Sequence, residues 1–492
     1  MKLINRIISH RFFVPVLLLA ALFLRVYRLG ALTGFYFDQG RDAKIIWDLW
    51  HSGKFFLIGP TTGIEGIFLG PFYYYLIAPF YLIGNGNPVI VSITLAVINV
   101  LGIYVIYKIG KEFFSQSAGL LASTFVAFSL PLVQAHRWLS NPTPLPLFSA
   151  TSVWMLLKII TGSTSPLVWS VLGLCLGLGL QLEAASAVFF LPATLLVFLI
   201  FRKNINWSLN LLHLIFTFSL TLIPQLWFNF RHDNILFAAF ARFLLAEKSF
   251  TPVLSDFYRQ RLFFYFDTFS QKFFLDRNLA IPFGVILLVA FLLTFRKFKK
   301  VFWGLTIIWV TPLVFLLFYH GNYGFVWDYY FTGIYSIFAL FAAVVLTAAA
   351  GQNKLFRNVV GAVVVVFLVT NVFHLRNYLS AGTDGPTTVV LEPSLAAVDA
   401  VYSDAGDKPF NVDVYVPPVI PHAYDYLFLW RGHTKYQKQP NSDLQPLLYL
   451  VYEVDPPHPE RLEAWLTRQN TYARMISQFR FGGLTVEKRL RF

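Results

Sequence analysis

Charged side chains are scarce: Asp, Glu, Lys and Arg make up 13% of the 492 residues, against about 25% in an ordinary soluble domain. A chain so poor in charge cannot cover a water-facing surface on all sides. Cysteine is nearly absent. Cys175 stands alone in an apolar run, which excludes a disulfide framework and a Cys-based metal site and leaves a packing role. The sequence also lacks a Gly-rich nucleotide loop, a dinucleotide fingerprint and an internal repeat. What fills the space is apolar: 57% hydrophobic residues, including 53 Phe, 24 Tyr and 12 Trp, with a mean hydropathy of +0.60. Aromatics at this density suit lipid-facing and interfacial surfaces. The composition is that of a polytopic membrane protein.

The net charge of +14 does not indicate a nucleic-acid binder, because it is unevenly placed. Residues 1–374 hold 27 Lys and Arg against 12 Asp and Glu, a balance of +15, whereas residues 375–492 hold 12 against 13. Apolar runs long enough for a bilayer, allowing for tilt, lie at 12–30, 88–108, 117–133, 143–160, 166–181, 184–201, 208–226, 281–296, 301–319, 331–350 and 357–374. The run 69–84, interrupted by Pro71 and Pro79, reads as a re-entrant or interfacial helix. The expected fold is an all-α bundle of about 11–13 transmembrane helices followed by a small extracytoplasmic α/β domain.

Basic residues orient the bundle. With Lys2, Arg6 and Arg11 inside, Lys108, Lys111, Lys158, Arg202, Lys203, Arg296–Lys300, Lys354 and Arg357 also fall inside, and Glu112 is the only acid there. The other eleven acids of the membrane half face outward. Chemistry is therefore expected outside, where three segments are long: 31–87, 227–280 and the tail 375–492, entered by a turn at 382–386. Within the tail, 387–391, 411–416 and 447–454 read as strands, and 394–403 and 459–469 as helices.

The most informative stretch is 34–48. Ala43, Ile46, Trp47 and Trp50 recur at helical spacing, so a helix lying along the membrane face is expected to start near Gln39, with Asp38 at its N-cap and Asp42 one turn on. In the plain structural reading Asp38 caps the helix and Asp42 pairs with Arg41 or Lys44. In the chemical reading a carboxylate at the membrane surface deprotonates a hydroxyl while Arg41 meets a phosphate.

The segment Asp38-Gln39-Gly40-Arg41-Asp42-Ala43 resembles the aspartate-x-x-arginine-x-alanine element of the lipid A aminoarabinose transferases. Gly70-Pro71-Phe72-Tyr73-Tyr74-Tyr75-Leu76 is similar to the Pro-Pro-Leu-x-Tyr element that follows it there. Together they resemble the branch of GT-C membrane glycosyltransferases that also holds the protein O-mannosyltransferases. The resemblance carries motifs over residues 1 to about 230, and only layout beyond. It implies an inverting transferase that uses a polyprenyl-phosphate sugar on the outer leaflet of the plasma membrane, with a glycan, lipid or protein hydroxyl as acceptor. Asp38 would be the general base, Arg41 would face the phosphate and Asp42 would organise the pair. A phosphate leaves as a stable anion, so cations can replace a metal, and neither cofactor nor metal is expected. Two positions depart from the relatives. Leu69 precedes Gly70 where the aminoarabinose enzymes carry Lys, which leaves Lys44, Lys54 or Arg137 to supply that charge. Gln39 follows Asp38 where the mannosyltransferases commonly have Glu.

Other outer residues carry paired readings. His136 and Arg137, beside Trp138, either anchor the membrane interface or hold acceptor and phosphate. Glu183, in a short turn between spans, is either functional or bridged to an arginine. Asp328 and Tyr329, after the loop 320–324, belong to an aromatic belt or to the sugar site. Arg25 and Arg28 either snorkel to lipid phosphates or answer the acids of the next loop. The segment 256–274 interleaves Arg259, Arg261 and Lys272 with Phe, and reads as a helix on the headgroups or a flap at the lipid entrance. A ligase or polymerase using diphosphate-linked glycans is the nearest alternative enzyme. A lipid-linked sugar transporter is the alternative of another class, but it calls for mid-membrane charges or two mirrored halves.

Overall fold

The computed structural model describes residues 12–207, 209–245, 254–319, 325–417 and 420–492. Lys2, Arg6, Arg11 and the loop 320–324 lie outside them. Each apolar run of the sequence forms a helix or a helix pair. Pro88–Phe113, Asn210–Arg231, Arg277–Lys297, Lys300–Phe318 and Lys354–Ser380 are long and apolar enough to cross a membrane. Five others, Phe13–Val26, Leu145–Ile160, Pro166–Leu182, Ala184–Ile200 and Tyr335–Ala350, are shorter. The run 69–84 forms the helix Phe72–Ile83, 12 residues long and so about 18 Å, too short for a hydrocarbon core of about 30 Å. Glu112 pairs with Lys158 at 3.8 Å and accepts from Trp154 Nε1 at 2.9 Å, which puts these residues at one end of the bundle.

The run 117–133 is broken. Gln116–Phe128 and Leu130–Arg137 meet at an angle of 65°, and Pro131 is the cause: it has no N–H for the carbonyl of Ala127. Arg25 supplies the missing donors. Its guanidinium reaches Ala127 O at 3.2 Å and Val126 O at 2.9 Å, and its Nε donates to His136 Nδ1 at 3.0 Å. Arg137 returns the arrangement, donating to the carbonyls of Leu24, Arg25 and Tyr27, the last of the helix Phe13–Val26 and its exit. Such carbonyls have no intrahelical partner. Arg28 donates to Leu379 O and Ala381 O. The expectation that Arg25 and Arg28 reach lipid phosphates or acids is thus corrected: both serve backbone carbonyls.

The segment 256–274 forms the helix Leu254–Ser270 and its exit; one face turns inward, with Phe257, Tyr265 and Phe269 buried and the last two in the bundle core. Only the face with Tyr258, Leu262 and Phe263 is exposed.

The tail is an α/β unit with a four-stranded sheet in the order β1 (Asn411–Tyr415), β2 (Leu447–Glu453), β4 (Leu484–Arg491), β3 (Ala473–Phe481). β1 and β2 are parallel, joined across the helix His422–Arg431, and the other pairs are antiparallel. β2 is buried on both faces, as expected of the run Leu447-Leu-Tyr-Leu-Val-Tyr. The segment 387–391, read as a strand, is unpaired and leads into the helix Leu391–Ala405. Instead Leu391 N–H donates to Thr33 O and Tyr36 hydroxyl to Val389 O, tying the tail to the first outer loop.

That tie extends along the acidic helix Phe37–Ser52. The helix His422–Arg431 lies against it so closely that a Cβ on Gly40 would overlap the His422 carbonyl. Phe37 packs on His422, and Trp47 on Tyr426 and His433. Tyr426 hydroxyl donates to Gly86 O at 2.5 Å and Trp430 Nε1 to Asn85 O at 2.8 Å.

Candidate active site

The acidic helix starts at Phe37, two residues before the expected Gln39, and Tyr36 is its N-cap. Gln39 fastens this end, its Oε1 accepting from Tyr36 N–H at 3.0 Å and its Nε2 donating to Leu139 O at 2.9 Å. Asp38 is therefore not the cap; it stands in the first turn, its side chain half-exposed. Arg41, three residues on, bridges the two aspartates. Its Nη1 lies 2.9 Å from Asp38 Oδ1 and donates to Thr61 Oγ1 at 3.1 Å. Its Nε and Nη2 both reach Asp42 Oδ1, at 2.9 and 2.8 Å.

Asp42 is buried, and Tyr74 hydroxyl donates to the same Oδ1 at 3.0 Å. Burial pushes the Asp42 carboxyl up to about 6, while Arg41 and Tyr74 pull it down. One edge of the guanidinium is thus held from inside and the other is offered to an exposed carboxylate. Tyr74 comes from the Gly70–Leu76 motif, whose start is pinned by Gln181: its Oε1 accepts from Phe72 N–H at 3.1 Å, and its Nε2 bonds Thr221 O.

Among the described residues Glu183 meets no arginine. It caps the short helix Ala184–Ala187, accepting from Ala185 N–H at 3.2 Å, and Asn141 Nδ2 lies 3.4 Å from its Oε2. Burial pushes its carboxyl up to about 7, against the two hydrogen bonds. Burial, then the charges of Glu183 and Asp38, raise the Tyr329 phenol, so these three groups share one region.

Beside them is a cavity of about 250 Å³ lined by Trp138, Thr143, Lys272, Asp328, Tyr329 and Tyr335 among others. Lys272 is buried and donates to both carboxylate oxygens of Asp328, at 3.0 and 2.8 Å. Tyr335 hydroxyl donates to Asp328 Oδ2 at 2.6 Å, and the ammonium sits 4.1 Å from the Tyr335 ring centre. Trp138 and Tyr329 meet edge to face at 6.4 Å.

The expected site residues thus divide. Asp38, Arg41 and Asp42 form one cluster, with Glu183, Asp328 and Tyr329 near it. Lys44 is exposed on the acidic helix, and Lys54 pairs with Asp48 at 3.6 Å. His136 and Arg137 are both buried: His136 Nδ1 accepts from Arg25 Nε and Arg137 Nη1 donates to backbone carbonyls, so the expectation of interfacial anchors is corrected and neither bonds the aspartates of the cluster. In the sequence Tyr74 and Lys272 stand only as members of the Gly70–Leu76 motif and the segment 256–274; their roles, and those of Asn141 and Tyr335, come from partners that local spacing does not show. Among the described residues no group of three or more His, Cys, Asp or Glu is placed to hold a metal ion.

A family model of dolichyl-phosphate-mannose-protein mannosyltransferases matches residues 69–228, about a third of the chain, including Gly70–Leu76 but not Asp38. No curated protein matches the sequence. Solved structures match over nearly the whole length. ArnT from Cupriavidus metallidurans bound to undecaprenyl phosphate superposes with a TM-score of 0.58 at 12% identity, covering 97% of this chain and 98% of that one. Its apo state gives 0.60 at 12% identity, with 96% and 97% covered. The Archaeoglobus fulgidus oligosaccharyltransferase in complex with Zn and sulfate gives 0.52 at 12% identity, covering 95% of this chain and 71% of that one. The fold expected from the sequence is therefore the one observed: an ArnT-like bundle of apolar helices with a small C-terminal sheet domain.

Proposed function

We propose that the protein is a glycosyltransferase that moves one sugar from a polyprenyl-phosphate donor to the hydroxyl of an extracytoplasmic glycan, lipid or protein, with inversion. The observation that carries the reading is the pair Asp38 and Arg41: a half-exposed carboxylate 2.9 Å from a guanidinium, on an ArnT-like fold. When the donor phosphate enters, Arg41 exchanges Asp38 for a phosphate oxygen while Asp42 keeps its other edge. Asp38, released, takes the proton of the acceptor hydroxyl. The acceptor oxygen forms the new bond to the anomeric carbon as the bond to the phosphate oxygen breaks on the opposite face. The polyprenyl phosphate leaves with that electron pair, its charge met by Arg41 and by Lys44 one helical turn further on. No metal step is needed on this reading. The site lies outside the plasma membrane, with the N-terminus in the cytoplasm, by the distribution of basic residues.

The test is donor turnover, by transfer or slow hydrolysis, with purified protein in lipid and a panel of polyprenyl-phosphate sugars. Asp38→Asn is expected to lose about 10²–10⁴-fold, the worth of a general base, while melting like wild type. A wild type that turns over no donor, or an Asp38→Asn variant that turns over donor normally, would refute the reading.

A further inference from the structure

The cavity bordered by Trp138, Tyr329 and Asp328 has a wall chemistry that none of the steps above uses. At about 250 Å³ it is smaller than the roughly 300–1,000 Å³ of pockets for drug-sized ligands, a size suited to one ring. Trp138 and Tyr329 border it, 37% and 38% exposed, and their rings meet at 67°, so two apolar surfaces form a corner. Asp328 lines the same cavity and is its carboxylate. A carboxylate has about four acceptor positions. Lys272 takes one on each oxygen, and the single Tyr335 proton is shared between Oδ2 at 2.6 Å and the Asp328 carbonyl at 2.7 Å, which leaves a position open on Oδ1 of a half-exposed side chain that lines the cavity. The lysine behind it is only 5% exposed. Its charge and that of Asp328 cancel, and neither has another ionic partner among the described residues.

We propose that this cavity seats a single uncharged sugar ring, its C–H face on Trp138 and Tyr329 and one hydroxyl donating to Asp328 Oδ1. This rests on the transferase reading for its context and adds the charge class of the sugar. A hydroxyl fits the open acceptor position on Oδ1. A charged substituent does not, since an ammonium competes with Lys272 for Asp328 and a carboxylate repels Asp328, and either leaves a buried charge unpaired. The ring belongs to the donor or to the acceptor; both present the same chemistry.

The test uses full-length protein in nanodiscs and saturation-transfer NMR with three probes: a methyl hexoside, the corresponding amino sugar and the corresponding uronate. Wild type is expected to prefer the neutral probe by at least about tenfold, the least that a hydrogen bond to a charged group is worth. Lys272→Met leaves an uncompensated carboxylate and shifts the preference to the amino sugar. Asp328→Asn leaves an uncompensated ammonium and shifts it to the uronate. The double variant K272M/D328N is neutral again, guards against misfolding of the single ones, and returns the preference to the neutral probe. A wild type that prefers a charged probe, or an order of preference unchanged across the variants, overturns the proposal.

Turnover is scored separately. Sugar binding that follows this charge order, with no turnover of any polyprenyl-phosphate donor, keeps the subsite and refutes the transferase. Turnover with an indifferent cavity does the reverse. Selectivity that changes in donor hydrolysis without acceptor assigns the ring to the donor; selectivity that changes only among acceptors assigns it to the acceptor. Either assignment supports the subsite.

Discussion

Replacing Tyr74 by Phe removes one oxygen and leaves the buried ring in place. That oxygen donates to Asp42 Oδ1 at 3.0 Å, which favours the ionised carboxylate and opposes the burial that pushes Asp42 up to about 6. Without it the carboxyl protonates at a higher pH. A hydrogen bond to a charged group is worth about 1.5–3 kcal/mol, and one pH unit corresponds to about 1.36 kcal/mol, so the displacement is about one to two pH units. Ionised Asp42 holds the inner edge of Arg41 through two hydrogen bonds. Protonated, it releases that grip and the phosphate clamp loosens. The acid limb of donor turnover, near pH 6 in wild type, is therefore expected to rise toward neutral in Tyr74→Phe while the melting temperature changes little. Turnover in proteoliposomes from pH 5 to 9 reads this directly. Both proteins should carry Glu183→Gln, because Glu183 titrates near 7 and would blur the limb. Coincident limbs in the two proteins, or a limb that survives Asp42→Asn, would show that the Tyr74–Asp42–Arg41 chain does not control the clamp.

Gly40→Ala places a methyl group on the backbone of His422 and Ala423, so either the tail or the acidic helix must shift. Overpacking of this kind costs about 1–3 kcal/mol, and calorimetry should show a lower melting temperature together with reduced turnover. Glu453, buried beside Tyr424, is pushed up to about 7 by its burial. A raised acid binds its proton more tightly in the folded state, so its contribution is fully present below its ordinary value of about 4.5 and is lost as pH rises through 7, by about 3 kcal/mol at most. Wild type should accordingly lose thermal stability from pH 5 to pH 8 relative to Glu453→Gln; parallel curves would refute this. Extensive chelation is expected to leave donor turnover unchanged, and recovery by an added divalent ion after a loss would overturn the metal-free reading.

Much of the site was legible because it is local. Asp38, Arg41 and Asp42 sit three and four residues apart, so any helix over this stretch brings them together, and the sequence pattern of Ala43, Ile46 and Trp47 demands a helix. The expected side of the membrane rests on segregated charge, which needs no contacts at all. The helix start shifted by two residues because Gln39, not Asp38, satisfies the end of the helix, using a carbonyl one hundred residues away.

The misreadings have one cause. Arg25, His136 and Arg137 look like surface cations in the sequence, yet the bend at Pro131 leaves carbonyls unpaired in a dry interior, and an arginine is the donor with enough reach and valence to meet them. Neither the bend nor the helix end it meets is visible from local spacing. Lys272 and Asp328, 56 residues apart, are each an unremarkable charge near an aromatic run until packing brings them to 2.8 Å.

Composition, hydropathy and local spacing were enough to specify a membrane bundle and the acidic helix, because those properties depend on transfer from water and on neighbours along one turn. The pairing of cations with carboxylates or carbonyls, the cavity and the seating of the tail on Gly40 were decided by tertiary structure alone. A buried charge takes whichever partner the fold brings within about 3 Å, and that distance is set by the packing of remote helices.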